Sequence, residues 1–423
     1  MAKIRVLVFP AGEINAVELH DALSACVNVE LWGASSVERH GSYVFKNYVP
    51  GLPMITSPDF IEKFNALLTE KHIDAVFPTH DTVAMFLADN AEKIQAKVIV
   101  ADKKTAEICR DKEKTYRVLA GADFLPKIYG GIDSFPVFIK PKQSQGAVGA
   151  KLIWSAADIP AVDWADYVIC EYLPGAEYTV DCLTDENGRL TGVFPRSRNR
   201  LMAGVCVAGK TEPLTDEIKH IADTINEKMT FKGLWWFQIK QDKNGKWKLL
   251  EVSTRCAGTM GLTRAKGVNL PLLSVYAAMG RDISVEPNDY TVETDRTLIS
   301  RYKIGYEYDT VYFDFDDTLI IGEAVNLKAV WFLYQCRNLG KKVILLTKHE
   351  QDLTETMLRF AIAENLFSEI IHIKPTDNKA DYVRPHRAIF VDNAFQERSA
   401  VARKHHIPVF DADGIDALMD WRS

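Results

Sequence analysis

The stretch Phe138-Ile139-Lys140-Pro141-Lys142-Gln143-Ser144-Gln145-Gly146-Ala147-Val148-Gly149 decides how the N-terminal part of the chain is read. Apolar residues from Val137 build a short strand that delivers Lys140 at its end, and a loop of small residues follows. Glycines such as Gly146 and Gly149 let backbone N–H groups approach phosphate oxygens, and a lysine beside them supplies compensating charge. A flexible β-hairpin with a surface lysine would read the same way, so the weight of this stretch comes from its neighbours in the sequence.

Downstream, Ile169-Cys170-Glu171-Tyr172-Leu173-Pro174-Gly175-Ala176-Glu177 sets two carboxylates around a turn. Phe237-Gln238 then lies on one strand and Leu249-Leu250-Glu251-Val252-Ser253-Thr254-Arg255 on the next, joined through the turn Asp242-Lys243-Asn244-Gly245. Strand alternation puts Glu251, Ser253 and Arg255 on one face, with Gln238 able to meet them across the hairpin. Oxygen ligands beside an arginine suit Mg²⁺ carrying nucleotide phosphates.

With Asp111-Lys112, Lys140, Glu171-Tyr172-Leu173, Glu177, Gln238 and Glu251 in order, the chain resembles the ATP-grasp superfamily over roughly residues 1–290. It is most similar to the carbamoyl-phosphate-synthase-like and D-alanine–D-alanine-ligase-like carboxylate–amine ligases. The resemblance implies ATP and Mg²⁺ as cofactors. Lys112, Lys140 and Gly146 would contact phosphates, Glu171 and Leu173 the adenine hinge, and Glu177 the ribose. Gln238, Glu251 and Ser253 would hold metal, and Arg255 would face the phosphate or acyl phosphate. The family carries asparagine where this chain has Ser253, and a hydroxyl is a weaker metal ligand. The resemblance further implies small-molecule carboxylate and amine substrates, and a homodimer as one assembly, since dimers are common in such ligases.

Ahead of this block, strand-like Ile4–Phe9, Val29–Trp32, Ala75–Pro78 and Val98–Val100 alternate with helical runs Ala16–Ala25 and Met85–Ile94. They predict a small open parallel sheet over about residues 1–105. The turn Pro10-Ala11-Gly12-Glu13 holds one glycine, so the dinucleotide fingerprint is absent. Gly204-Val205-Cys206-Val207-Ala208-Gly209-Lys210-Thr211 matches the P-loop pattern letter for letter. No buried strand precedes it, however, and Val205 and Val207 favour extended backbone, so the stretch reads as strand and turn. Nearby Arg196, Arg198 and Arg200 are candidates for an anionic substrate, with a solvated charge run as the alternative.

A polar stretch, Gly280–Thr297, is the predicted linker to a second α/β block. There Val311-Tyr312-Phe313-Asp314-Phe315-Asp316-Asp317-Thr318-Leu319 places carboxylates just past an apolar strand, where parallel sheets bind ligands. Asp314 can then act as nucleophile and Asp316 as acid–base group, with Mg²⁺ neutralising the approaching phosphate. Thr347 ends the strand Val343–Leu346, Lys379 precedes a predicted helix, and Asp392 ends Ala388–Val391. The series resembles the haloacid dehalogenase (HAD) superfamily over about residues 308–423. That implies Asp314 attacks phosphorus, Asp316 protonates the leaving group, Thr347 and Lys379 bind phosphoryl oxygens, and Asp392 holds Mg²⁺ together with Asp314 and Asp316. Asn393 follows Asp392 directly, and the next acid is delayed to Glu397. The run from Thr318 to the predicted helix Ala324–Leu339 leaves no room for a cap domain. Nor do the 32 positions from Thr347 to Lys379, which a predicted helix Leu353–Asn365 and a strand use up. A capless site is open, which fits a large phosphorylated substrate or a neighbouring domain acting as lid.

The whole 423-residue chain is 47% apolar and 26% charged, with a formal net charge of -6, ordinary values for a soluble protein of about three domains. The acidic balance argues against nucleic acid or anionic lipid as partners. No apolar run is long enough to span a membrane, no signal peptide is recognisable, and the seven cysteines are scattered without a C-x-x-C pair. The expected compartment is the cytoplasm. The expected architecture is α/β throughout: a pre-ATP-grasp sheet (1–105), an ATP-grasp region (106–295) and a capless HAD-like Rossmannoid domain (308–423). The expected function is bifunctional, a carboxylate–amine ligase joined to a phosphomonoester hydrolase. The alternative is a HAD phosphatase regulated by a non-catalytic ATP-binding module.

Overall fold

The computed structural model describes residues 3–144, 146–202 and 204–422. They form two compact units, one up to Leu298 and one from Ile299 to Arg422.

In the first unit, β1 (Ile4–Phe9), β2 (Val29–Ala34), β3 (Asn47–Val49), β4 (Ala75–Pro78) and β5 (Lys97–Val98) make a parallel sheet in the order β3-β2-β1-β4-β5. β6 (Ile128–Tyr129), β7 (Val137–Pro141), β8 (Lys151–Ile153) and β9 (Tyr167–Glu171) form an antiparallel sheet ordered β6-β9-β7-β8. β10 (Glu177–Thr184), β11 (Leu190–Ser197), β14 (Gly233–Gln241) and β15 (Trp247–Ser253) form another, ordered β11-β10-β14-β15. Between these lie β12 (Arg200–Met202) and β13 (Val205–Lys210), which pair with each other. The turns joining β10 to β11 and β14 to β15 are built alike. Asp185 accepts from the amides of Asn187 and Arg189, Asp242 accepts from those of Asn244 and Lys246, and the closing glycines, Gly188 and Gly245, have positive φ.

The N-terminal sheet does not stand apart from the rest of this unit. Val6, Val8 and Phe77 share one core with Leu183, Leu234, Trp236, Leu270 and Val275. The predicted linker is also partly ordered, since β16 (Glu293–Asp295) pairs with the free edge of β13. The P-loop-like letters are β13 itself, as the β-branched residues require.

The second unit is a parallel sheet of β17 (Thr310–Phe313), β20 (Lys342–Thr347), β21 (Glu369–His372), β22 (Ala388–Val391) and β23 (Val409–Phe410), ordered β21-β20-β17-β22-β23. β17 is central, and a small hairpin, β18 (Ile320–Ile321) with β19 (Ala324–Val325), follows it. That hairpin takes Ala324 and Val325, so the helix expected from Ala324 starts at Leu327, where Asn326 caps it. The helix expected through Asn365 ends at Arg359, and Ala361 has positive φ just beyond. Lys379 opens a single 3₁₀ turn, Lys379–Asp381, where a helix was expected to follow. Among the described residues no helix is long and apolar enough to cross a membrane, and all seven cysteines are unpaired.

Candidate active sites

In the first unit the site gathers around β15. Asp111 caps the helix Lys112–Val118 by accepting from the amides of Glu113 and Lys114, which fixes Lys112 at its first turn. Lys112 Nζ donates to Ser144 Oγ (3.2 Å), at the foot of the glycine loop, and stands 3.7 Å from Glu251. Lys140 is buried and donates to Tyr116 Oη (2.6 Å) and to the carbonyl of Leu250 (2.9 Å). That carbonyl is reachable because the ladder skips Leu250: Gln238 faces Glu251, whereas Ile239 faces Leu249. Burial lowers the pKa of both lysines, against the pull of Glu251.

Glu177 accepts from Arg198 (2.7 Å), Lys240 (3.0 Å) and the Gln238 side-chain amide. Gln238 is the cross-strand partner of Glu251, whose one ion-pair neighbour among the described residues is Lys112. These two oxygen-bearing side chains fit a hard cation. Ser253 is committed elsewhere, its hydroxyl donating to Asp81 (3.4 Å). Asp81 also holds Arg255 in a two-point pair, Nε to Oδ1 at 2.7 Å and Nη2 to Oδ2 at 3.1 Å. Burial alone would raise the Asp81 pKa, but the Arg255 guanidinium outweighs it and holds the carboxyl below its usual range. Asp81, Arg110, Lys112, Trp236, Glu251 and Arg255 line one cleft. The Trp236 indole N–H is buried there and has no hydrogen-bond acceptor among the described residues. An oxygen of a bound ligand would satisfy it.

Other predicted residues sit differently. Glu171 ends the inner strand β9, with its side chain and its N–H both bonded to the Lys127 backbone, and Leu173 is buried nearby in sequence. Gly146 has positive φ and open space around it. Arg196 is not available to a substrate. It is 1% exposed and paired with buried Asp181 through Nε and Nη2, both at 2.9 Å. Arg198 serves Glu177, and Arg200 pairs with Asp295 at the β12–β13–β16 edge.

The second unit has its own cluster at the carboxyl ends of β17, β20 and β22. Lys379 Nζ lies 2.5 Å from Asp314 and 2.6 Å from Asp392, all three buried. Burial raises the pKa of both carboxyls, and for Asp314 the nearby Asp392 adds to this; one ammonium does not fully offset two carboxylates. Thr318 approaches Asp314 (3.4 Å) and accepts from the Asn393 amide. Thr347 is fully buried, and its Oγ1 accepts from the His349 amide, which leaves its own hydrogen to donate. Asp316, expected as a metal ligand beside Asp314, has its half-exposed carboxylate against the His349 ring, and loop residue Asp317 beside it has positive φ. Among the described residues no three His, Cys, Asp or Glu side chains cluster as a metal site. Two buried carboxylates with an excess negative charge still fit one hard divalent cation whose remaining ligands come from phosphate, backbone or water.

Sequence reasoning missed Asp81, Arg110, Tyr116 and His349. Asp81 carried a usable signal, because it follows β4 at the carboxyl edge of a parallel sheet.

Residues 163–301 match the family model described as ATP-grasp in the biosynthetic pathway with Ter operon. The first unit has the ATP-grasp fold. Solved structures with this fold include the biotin carboxylase domain of 2-oxoglutarate carboxylase from Hydrogenobacter thermophilus, at 17% identity and a TM-score of 0.55, covering 68% of this chain and 72% of that one. L-amino acid ligase from Bacillus licheniformis is similar at 17% identity and a TM-score of 0.53, over 65% of this chain and 74% of its own. N5-carboxyaminoimidazole ribonucleotide synthetase from Thermotoga maritima is similar at 14% identity and a TM-score of 0.51, over 68% and 78%. No curated protein sequence matches the chain.

Proposed function

We propose that the chain is a bifunctional enzyme, an ATP- and Mg²⁺-dependent carboxylate–amine ligase followed by a phosphomonoester hydrolase. The observation that carries the ligase is the convergence of Lys112, Glu251 and Arg255 on one cleft, with Lys140 and Gln238 packed against β15 beside it. Relatives in fold include a structure with MgADP and an amino acid ligase, which supports this reading. Lys112 and Lys140 would bind ATP phosphates, exchanging Ser144 and Tyr116 for phosphate oxygens. Glu251 and the Gln238 carbonyl would hold Mg²⁺, which supplies charge neutralisation on the phosphates. The carboxylate substrate attacks the γ-phosphorus, ADP leaves, and an amine displaces phosphate from the acyl phosphate. Arg255, aimed by Asp81, would steady the charge on the acyl phosphate.

In the second unit Asp314 would attack a phosphate ester while Asp316 protonates the departing oxygen; water then releases phosphate from Asp314 and returns a proton to Asp316. Asp314 and Asp392 would hold Mg²⁺, and Lys379 and Thr347 would bind phosphoryl oxygens. ADP release that requires a carboxylate and an amine is expected to disappear in Lys140→Ala and persist in Asp314→Asn. Mg²⁺-dependent ester hydrolysis is expected to behave in the opposite way, and ester hydrolysis surviving Asp314→Asn would remove the nucleophile from this scheme. Ser253 donating to Asp81 favours a second reading, an ATP-binding module without turnover. ATP binding with no ADP release across carboxylate and amine pools is its signature.

A further inference from the structure

Asp316 is the most exposed member of the C-terminal cluster, its side chain 52% accessible, and yet it is held in a defined place. The holder is His349, whose Nδ1 lies 2.8 and 3.1 Å from the two carboxylate oxygens and whose side chain is 8% accessible. His349 is itself fixed at every polar atom. Its N–H donates to Thr347, its carbonyl accepts from His372 (2.6 Å), and its Nε2 meets Thr356 Oγ1 at 2.9 Å. Phe315 packs edge-on against the ring.

The Thr356 contact settles which ring nitrogen carries hydrogen. Thr356 Oγ1 spends its one proton on the carbonyl of Asp352 (2.9 Å), so toward His349 it can only accept. Nε2 is therefore the donor, and Nδ1 faces Asp316 across one remaining proton. An exposed ion pair contributes little to stability, about 0–1 kcal/mol. Four tethers on a buried histidine for the sake of one exposed carboxyl thus make more sense as aiming than as bracing.

We propose that His349 is a positioning residue that holds the Asp316 carboxyl, with its transferable proton, toward the ester oxygen of the substrate. The inference rests on the phosphatase reading and deepens it by naming the substrate class. A pre-aimed acid matters when the departing oxygen is a poor leaving group, so the substrates are phosphomonoesters of aliphatic alcohols. An open cavity of about 460 Å³ is lined by His349 together with Glu350, His372, Ile373, Lys374 and Pro375, and it would receive the alcohol portion. In the step, the Asp314–phosphorus bond forms as the phosphorus–alkoxy bond breaks, and the proton passes from Asp316 to the alkoxy oxygen. The attacking water then loses a proton to Asp316 as the Asp314–phosphorus bond breaks.

The experiment compares the full-length wild type, His349→Ala, His349→Asn, Thr356→Val and Asp314→Asn in Mg²⁺. The probes are glycerol 3-phosphate and phosphoethanolamine as alkyl esters and p-nitrophenyl phosphate as the activated one. For His349→Ala, kcat on the alkyl esters is expected to fall about tenfold further than on the aryl ester, with KM changed less than kcat. Asn, which can place a polar atom near the Nδ1 position, recovers part of the loss. Thr356→Val shifts the same ratio in the same direction by less, and it serves if His349→Ala does not fold. Equal losses on both ester types, no gain from Asn, or a wild type active only on the aryl ester would overturn the proposal while leaving the phosphatase reading intact. A wild type that hydrolyses none of the three esters, like Asp314→Asn, overturns that reading and the proposal with it.

Discussion

Replacing Asp81 with Asn removes the charge that pairs with Arg255 while keeping the size of the side chain. Both oxygens of Asp81 face the guanidinium, and the two side chains are 17% and 16% accessible. Unit charges about 4 Å apart at an effective dielectric near 20 attract by about 4 kcal/mol. Partial exposure screens this, so a coupling of about 2–3 kcal/mol is expected. Urea unfolding of the wild type, Asp81→Asn, Arg255→Met and the double variant measures that coupling directly. In carboxylate- and amine-dependent ADP release, Asp81→Asn should lower kcat by about tenfold or more, because Arg255 keeps its charge but loses its aim. KM for ATP should stay within about twofold, since the phosphate lysines are untouched. A coupling below about 0.5 kcal/mol, or a rise in KM for ATP that matches the fall in kcat, would refute the assignment of Asp81 as the residue that aims Arg255.

Three further outcomes are expected. Asp181→Asn leaves Arg196 charged and buried without its partner and should cost about 3–5 kcal/mol in urea unfolding; Asp181→Leu with Arg196→Met should recover most of it. Glu18, paired with Arg264 at 3.1 Å, is so buried that its pKa rises from 4.5 to about 7. The folded state then holds a proton that the unfolded chain has released. Stability should therefore fall by about 3 kcal/mol as pH rises from about 4.5 to 7, and Glu18→Gln should flatten that slope in pH-dependent melts. Tyr116→Phe removes the hydroxyl that accepts from Lys140 in the free enzyme, and a phosphate can take its place once ATP binds. Calorimetry should show ATP binding weakened by less than about threefold, well short of the loss in Lys140→Ala.

Strand-bound motifs were the readable part of both sites. Gln238 and Glu251 meet because a two-residue period and a short turn leave few alternatives for a hairpin. Asp314 and Asp392 meet because parallel strands put successive loops at one edge of the sheet. Helix ends were less readable, since caps and single positive-φ residues such as Ala361 decide them. The arginines at and between the ends of β11 and β12 show a different limit. Arg196, Arg198 and Arg200 look alike as a charge run, yet one is sealed in the core with Asp181, one serves Glu177, and one sits on an edge with Asp295. Each fate depends on an acid at least 15 positions away in sequence.

By itself, the order of the residues determined the α/β character, the two blocks and the chemical types gathered in each, because alternation, turn residues and strand-end carboxylates are local properties of the chain. Tertiary structure alone decided the partners. It placed Asp81 on Arg255 across a sequence gap of 174 residues, and it set Asp316 against His349. Long-range pairing of this kind carries no local signature. It depends on which surfaces the folded cores bring into contact, and so it becomes visible only once the chain is folded.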